Sequence, residues 1–467
     1  MKSLRLITPL RVTLLLAALA FALPIGHAIW VRHESARLEQ ALARLAAAGE
    51  PVTPADLHLD SLPADQNASL DYKSAMLSIN GNSPAWKKWN DADDDQFLYP
   101  YTPAEQAEVK AIVAEDAAVL ARVRAARGKP AGGWNDQFVP GTFPTDKEFP
   151  LNSERSLGNL LMVAAKAAHT DGDDRRAIEL LTDGLAVANA GEMRPSLIAH
   201  LVALGMTAVP ADAASVIAPG LKIGPGGASR QQVDDLIHSL LDEKPIDDGI
   251  KLSWRTERMN ELALMNGVID GTPQPGGRAG DQPEGGPAAS GYLIEPLLIS
   301  DEVMLVGHLQ GMMAASTAPD WSTARRRMPT ALPDAIKRHP YLHLLLNILI
   351  PSLDRAVMQD FHTRAQTRLA AVALACRLYE IDHDGNFPAA LAGLVPQYLP
   401  AVPADPMSGN PLLYKTDNPR VYSVGDDGID NGGIPADRHG KNGLPRGQGD
   451  IVVYLKLQPR KMPTTMP

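Results

Sequence analysis

The chain has 467 residues, enough for two or three cores, and its hydrophobic share of 45% and charged share of 21% are those of ordinary globular protein. A net charge of −10 with no long basic stripe excludes a nucleic-acid binder, because neutralising phosphates requires clustered Lys and Arg. The single Cys376 excludes an intrachain disulfide and a multi-Cys metal site, and its Ala, Val and Leu neighbours predict a buried, inert thiol.

Lys2, Arg5 and Arg11 precede an apolar run, Val12 to Val31, closed by Arg32, His33 and Glu34. Such a run matches the roughly 20 residues that cross a bilayer's hydrocarbon core. Pro24 and His27 weaken its second half, and Gly26-His27-Ala28 reads as a poor signal-peptidase site. A helical pattern resumes at once with Leu38, Leu42 and Leu45. The reading favoured over a cleaved signal peptide is therefore a single-pass inner-membrane anchor over residues 12–31. It runs into a stalk that ends by residue 50, with the bulk of the chain in the periplasm.

Gly49-Glu50-Pro51 stops the stalk, and residues 51–340 read as a helical extracytoplasmic domain. Asn67-Ala68-Ser69 matches a glycosylation acceptor but is read as incidental. Asp91, Asp93 and Asp95 have the spacing that opens a calcium loop. Gln96 stands where that loop needs glycine and Thr102 where it needs the bidentate glutamate, so the cluster reads as solvated. Thr102 caps a helix, with Pro103 and Glu105 in its first turn and Val109, Ile112, Val113 and Leu120 on one face.

Residues 153–190 predict a helical hairpin broken at Asp171-Gly172-Asp173-Asp174, and further helices are expected near 194–218, 229–243 and 250–268. Between 271 and 291 there is little to bury, which predicts a mobile loop. Tyr341 to Leu353 is apolar but too short to span a membrane and reads as a core helix. His339 and His343 have the spacing of a metal pair, yet no HExxH glutamate or third ligand accompanies them, so capping and packing is the reading.

From about Asp354 a long helix is expected to reach Asp382, followed by a stop at Asp384-Gly385 and a short second helix, Ala389 to Val395. Strands are expected after the Asp405–Tyr414 turn, over Arg420–Val424 and over Ile451–Leu455. Three ordered motifs punctuate this tail: Leu378-Tyr379, Asp382, Gly385 and Phe387-Pro388; then Val402-Pro403, Asp405-Pro406, Gly409, Pro411 and Tyr414; then Tyr422-Ser423, Gly425, Asp427-Gly428 and, after an acidic Gly-rich loop, Asp450-Ile451.

In that order the motifs resemble the globular module of the type II secretion major pseudopilin, over residues 354–458, with one extra residue in each of the first two. The resemblance implies a small α+β module, residues 354–467, with a three-stranded antiparallel sheet and a calcium ion in the loop. By position the ligands would be Val424 through its carbonyl, Asp427, Asp430 and Asp450, with Asp437 a weaker candidate. The chain departs from the family where prepilin processing would occur, because no Gly-aromatic site precedes Val12. Some 300 residues also separate the apolar run from the module.

No nucleophile elbow, phosphate loop, HExxH or dinucleotide fingerprint is present. The expectation is a mainly α protein: membrane-anchored, non-catalytic, with a calcium-binding pseudopilin-like tail that docks a secretion or envelope partner. An extracytoplasmic hydrolase with its site in the helical domain is the alternative, and it requires His, Asp or Glu side chains converging at a pocket.

Overall fold

The computed structural model describes residues 9–59, 62–81, 83–90, 99–134, 138–142, 151–270, 289–329, 338, 343–436 and 448–458. The Asp91–Asp95 cluster, Asp437, His339 and residues 271–288 of the expected loop lie outside these described residues.

The chain is mainly helical, with one small sheet near its C-terminus. It opens with α1 (Pro9–Ala47), which passes unbroken through Pro24. Its first half lies bare of protein: Phe21 is 74% and Leu23 68% exposed. At roughly 25 cal/mol per Å², a row of such side chains left in water is strongly unfavourable, so this face needs an apolar cover. The second half lies on α11 (Ala289–Ser316). There Leu45 is buried, and Glu34, also buried, pairs with Arg37 at 2.6 Å. The stop is a Schellman turn: Gly49 takes φ +79°, and Glu50 N donates to Leu45 O at 3.0 Å. Arg255 then clamps the Glu50 carboxylate at 3.0 and 3.1 Å, and Arg258 donates to Pro51 O.

In the body, α2 (Ala68–Ser78) and α3 (Pro84–Asn90) precede α4 (Pro103–Glu115) and α5 (Ala117–Ala126). Asn67 is fully buried as the cap of α2, its side chain accepting from Ser69 N and donating to Gly133 O. Thr102 and Glu105 form the capping box of α4. The expected single helix breaks at Asp116, whose carboxylate is drawn inward to accept the Trp86 indole N–H at 2.7 Å. The hairpin is α6 (Leu151–Thr170) and α7 (Asp174–Gly191), turned at Gly172, φ +83°.

Next come α8 (Leu197–Ile217), α9 (Arg230–Leu241), α10 (Lys244–Asp270), α11 and α12 (Trp321–Arg327). Helix α8 is apolar enough to cross a membrane, with a mean hydropathy of 1.7 over Leu197–Gly220, but 61% of that window is buried inside the protein. It is a core helix, apolar on most of its surface because most of its surface is packed, with Ile198 and Asp212 left exposed.

Against α8 and α9 lies α13 (Leu344–Asp382), one helix where the sequence suggests two, starting ten residues before Asp354. From Leu369 to Cys376 no side chain is more than 1% exposed, so the helix has no solvent face there. The body and the tail therefore share one core: Leu160, Ile217, Leu236, Leu374, Leu399 and Val421 belong to a single cluster. After the stop at Gly385, the expected second helix is only a 3₁₀ turn, Leu391–Leu394, too short to bury an α-helical stripe. Strands β1 (Leu413–Lys415), β2 (Arg420–Ser423) and β3 (Ile451–Tyr454) form the antiparallel sheet in sequence order, with Leu413 opposite Tyr422 and Ser423 opposite Ile451.

Candidate functional site

Two places gather functional chemistry: the acidic loop between β2 and β3, and a buried array of charges among α7, α8 and α13.

The loop begins where the Asp405 motif ends. Buried Asp405 accepts from Ser423 Oγ at 2.6 Å, Val424 N at 3.2 Å, Met407 N at 2.9 Å and Ser408 Oγ at 3.0 Å. One carboxylate thus welds the Asp-Pro turn to β2 just as the loop departs. The turn's backbone in turn accepts from the first amides of α12, Pro406 O from Trp321 N at 2.7 Å. His362 of α13 meets Asp426 at 3.2 Å, which fixes the loop's start to the body. The loop's two ends are pinched together at Gly425 (φ +68°) and Gly449 (φ +132°), where a Cβ on Gly425 would collide with the carbonyl of Gly449.

Asp450, 2% exposed, accepts from Asn431 N at 3.2 Å and Gly433 N at 2.6 Å. Asp427 accepts from Ile429 N at 3.0 Å and from the Asn431 side chain at 3.3 Å. Asp430 accepts from Gly432 N at 2.8 Å. Asn431, which the sequence reading passed over, therefore bridges Asp427 and Asp450. Burial raises the Asp450 pKa, the two amides pull it back, and the charges of Asp430 and Asp427 push it up again. Val424 lies at the same end of the loop, its N–H committed to Asp405.

The donor chemistry fits calcium, since every candidate is a hard oxygen. The fit is partial, because each carboxylate already satisfies the loop's own backbone, and Arg420 reaches across to Gly432 O at 3.1 Å. Among the described residues, no group of three or more His, Cys, Asp or Glu is arranged to hold a metal ion.

In the body, fully buried His200 of α8 meets Glu192 at 2.5 Å through Nδ1, while its Nε2 lies 3.9 Å from Asp360 of α13. Asp360 holds Arg364 at 3.0 Å, and Arg364 reaches Glu243 at 3.0 Å and Asp247 at 2.8 Å. Beside them the buried Arg194 pairs with Glu154 and lays its guanidinium 3.5 Å over the Trp134 ring. Burial pushes Glu192 up to about 7, with His200 opposing. Burial works against a charged His200, but the Glu192 and Asp360 charges outweigh it and its pKa is raised.

No motif announces these residues, because Glu192, His200 and Asp360 meet only through helix packing. Elsewhere His343 is a buried partner of Asp301 at 2.5 Å, in keeping with the packing role expected of it, and Cys376 is buried with its thiol pKa raised by burial.

No protein-family model, curated protein or solved structure matches this chain. The likeness to pseudopilins thus rests on the three motifs alone.

Proposed function

We propose that this chain is a membrane-tethered, extracytoplasmic, non-catalytic protein whose C-terminal acidic loop takes a calcium ion and presents the tail to a secretion or envelope partner. The observation that carries the reading is a loop whose ends two glycines pinch together beside buried Asp450, with Asp427 joined to it through Asn431 and Asp430 between them in sequence, although the three carboxylates are not arranged as a ready ligand set. A bound divalent cation relieves the repulsion among their charges and ties the loop's two ends together. The bare apolar half of α1 supplies the tether, consistent with an inner-membrane position for residues 12–31.

The test is thermal unfolding of the full chain in detergent micelles, with calcium and with chelator. The whole chain is required because α13 shares its core with the body. A rise of about 5 °C under calcium, absent in Asp450→Asn, is expected. Superimposable curves would remove calcium from the proposal.

The hydrolase reading draws on a different observation, the convergence of Glu192, His200 and Asp360, with Glu192 on the wall of a cavity. His200 and Asp360 themselves line no described cavity, so Glu192 would have to act as the base. Turnover of chromogenic ester, glycoside or peptide substrates that Glu192→Gln abolishes would favour this reading over the first.

A further inference from the structure

Where the stalk enters the body, a cavity of about 860 Å³ opens between residues 57–59 and 62, residues 130–134 and the start of α10. It is large enough for a drug-sized molecule. Leu57, Leu59, Leu62, Trp134, Met193 and Leu252 form its apolar walls. Half of the polar side chains around it are acidic, the others being His58, Asn189 and Lys244. Asp242, Asp248 and Glu192 contribute three carboxylates, and Lys244, paired with Asp248, contributes one cation.

Glu192 is unlike a surface carboxylate. It is 3% exposed, and its Oε2 is fixed by His200 while its Oε1 has no hydrogen-bond partner. The side chain packs so closely against Gly249 that a Cβ there would collide with Oε2, which makes the glycine part of the seat. A buried acceptor left half-satisfied is costly, and a ligand donor that reaches it recovers much of that cost. Apolar walls, an acidic surround and one unmet carboxylate oxygen together select a cation with an apolar body.

We propose that this cavity binds an amphiphilic amine, its hydrocarbon or aryl part against Leu57, Leu59, Leu62 and Met193 and its ammonium directed toward Glu192. Nothing in the calcium reading requires this site, and its test does not involve calcium.

Isothermal titration of the full chain in lipid nanodiscs, with blank nanodiscs subtracted, measures binding of naphthylethylamine, the isosteric alcohol naphthylethanol and the anion naphthylacetate. The amine is expected to bind at least tenfold more tightly than the alcohol, and the anion more weakly than either. Glu192→Gln should bring the amine down to the alcohol's affinity. Glu192 also holds His200, so Leu59→Trp provides a second test away from the buried array. Leu59 is 40% exposed, and the larger ring narrows the cavity along one apolar wall while leaving the melting temperature unchanged. It should weaken binding of both amine and alcohol severalfold. Equal affinity for all three probes, no binding of the amine, or amine and alcohol affinities undiminished by Leu59→Trp would each overturn the proposal.

Discussion

The acidic loop and the buried array both gather carboxylates, and they satisfy them by opposite means. In the loop, Asp427, Asp430 and Asp450 are met by amide N–H groups from residues two to nineteen positions away, so a local motif specifies the arrangement. In the array, side chains of different helices do the work: Arg194 pairs with Glu154 across 40 positions and Arg364 joins Asp360, four residues away, to Glu243, 121 away, while His200 meets Glu192 from the next helix. The difference teaches that local anion sites can be read from a sequence, whereas buried ion pairs exist only after helices have packed. It also predicts unequal costs of damage. A loop carboxylate can relax toward water, but a buried one left without its partner has nowhere to go.

The strongest break in that comparison is Arg194→Ala. It leaves Glu154 fully buried without its cation and uncovers the Trp134 ring, and the expected loss is about 3–5 kcal/mol in urea unfolding. Asp405→Ala comes next, because it orphans Ser423 Oγ and three further donors at the base of the loop. A loss of about 2–4 kcal/mol is expected, read by the same measurement.

A third variant extends the comparison through pH to a buried carboxylate outside the array, Glu302 of α11. Burial, reinforced by Asp301, lifts the Glu302 carboxyl from its ordinary 4.5 to about 7, and neither of its oxygens has a hydrogen-bond partner. The folded state therefore holds a proton that the unfolded chain releases between those values. Glu302's contribution to stability is full below pH 4.5 and is lost as pH rises toward 7. Glu302→Gln, which does not titrate, should reduce the fall in stability between pH 5 and pH 8 by about 1–3 kcal/mol, seen in urea midpoints across that range. The smallest effect is expected from Thr102→Ala, which removes only the exposed cap of α4 and should cost about 1 kcal/mol.

The same contrast explains what was legible beforehand. Features set by neighbours in sequence were readable: the Gly49 stop, the Thr102 cap, the hairpin turn at Gly172, the three strands and the acidic loop between the last two. The length of α13 was not, because Pro351 suggests a boundary that tertiary packing overrides. Nor was the break at Asp116, which depends on an indole thirty residues away, or the junction of Glu192 with His200 and Asp360. The loop's candidate ligands were named from resemblance, but Asn431, the residue that physically links two of them, carries no signature in that resemblance.

The shared core has a consequence for the order of synthesis. The apolar segment of α1 emerges first, whereas the cluster that stabilises the protein draws members from Ala68 to Leu455. Helices α8 and α9 therefore carry an uncovered apolar face until α13 has been made, and completion waits on contacts of very long sequence separation. A chain cut short before α13 would not be a smaller version of this protein but an aggregation-prone one, unable to close.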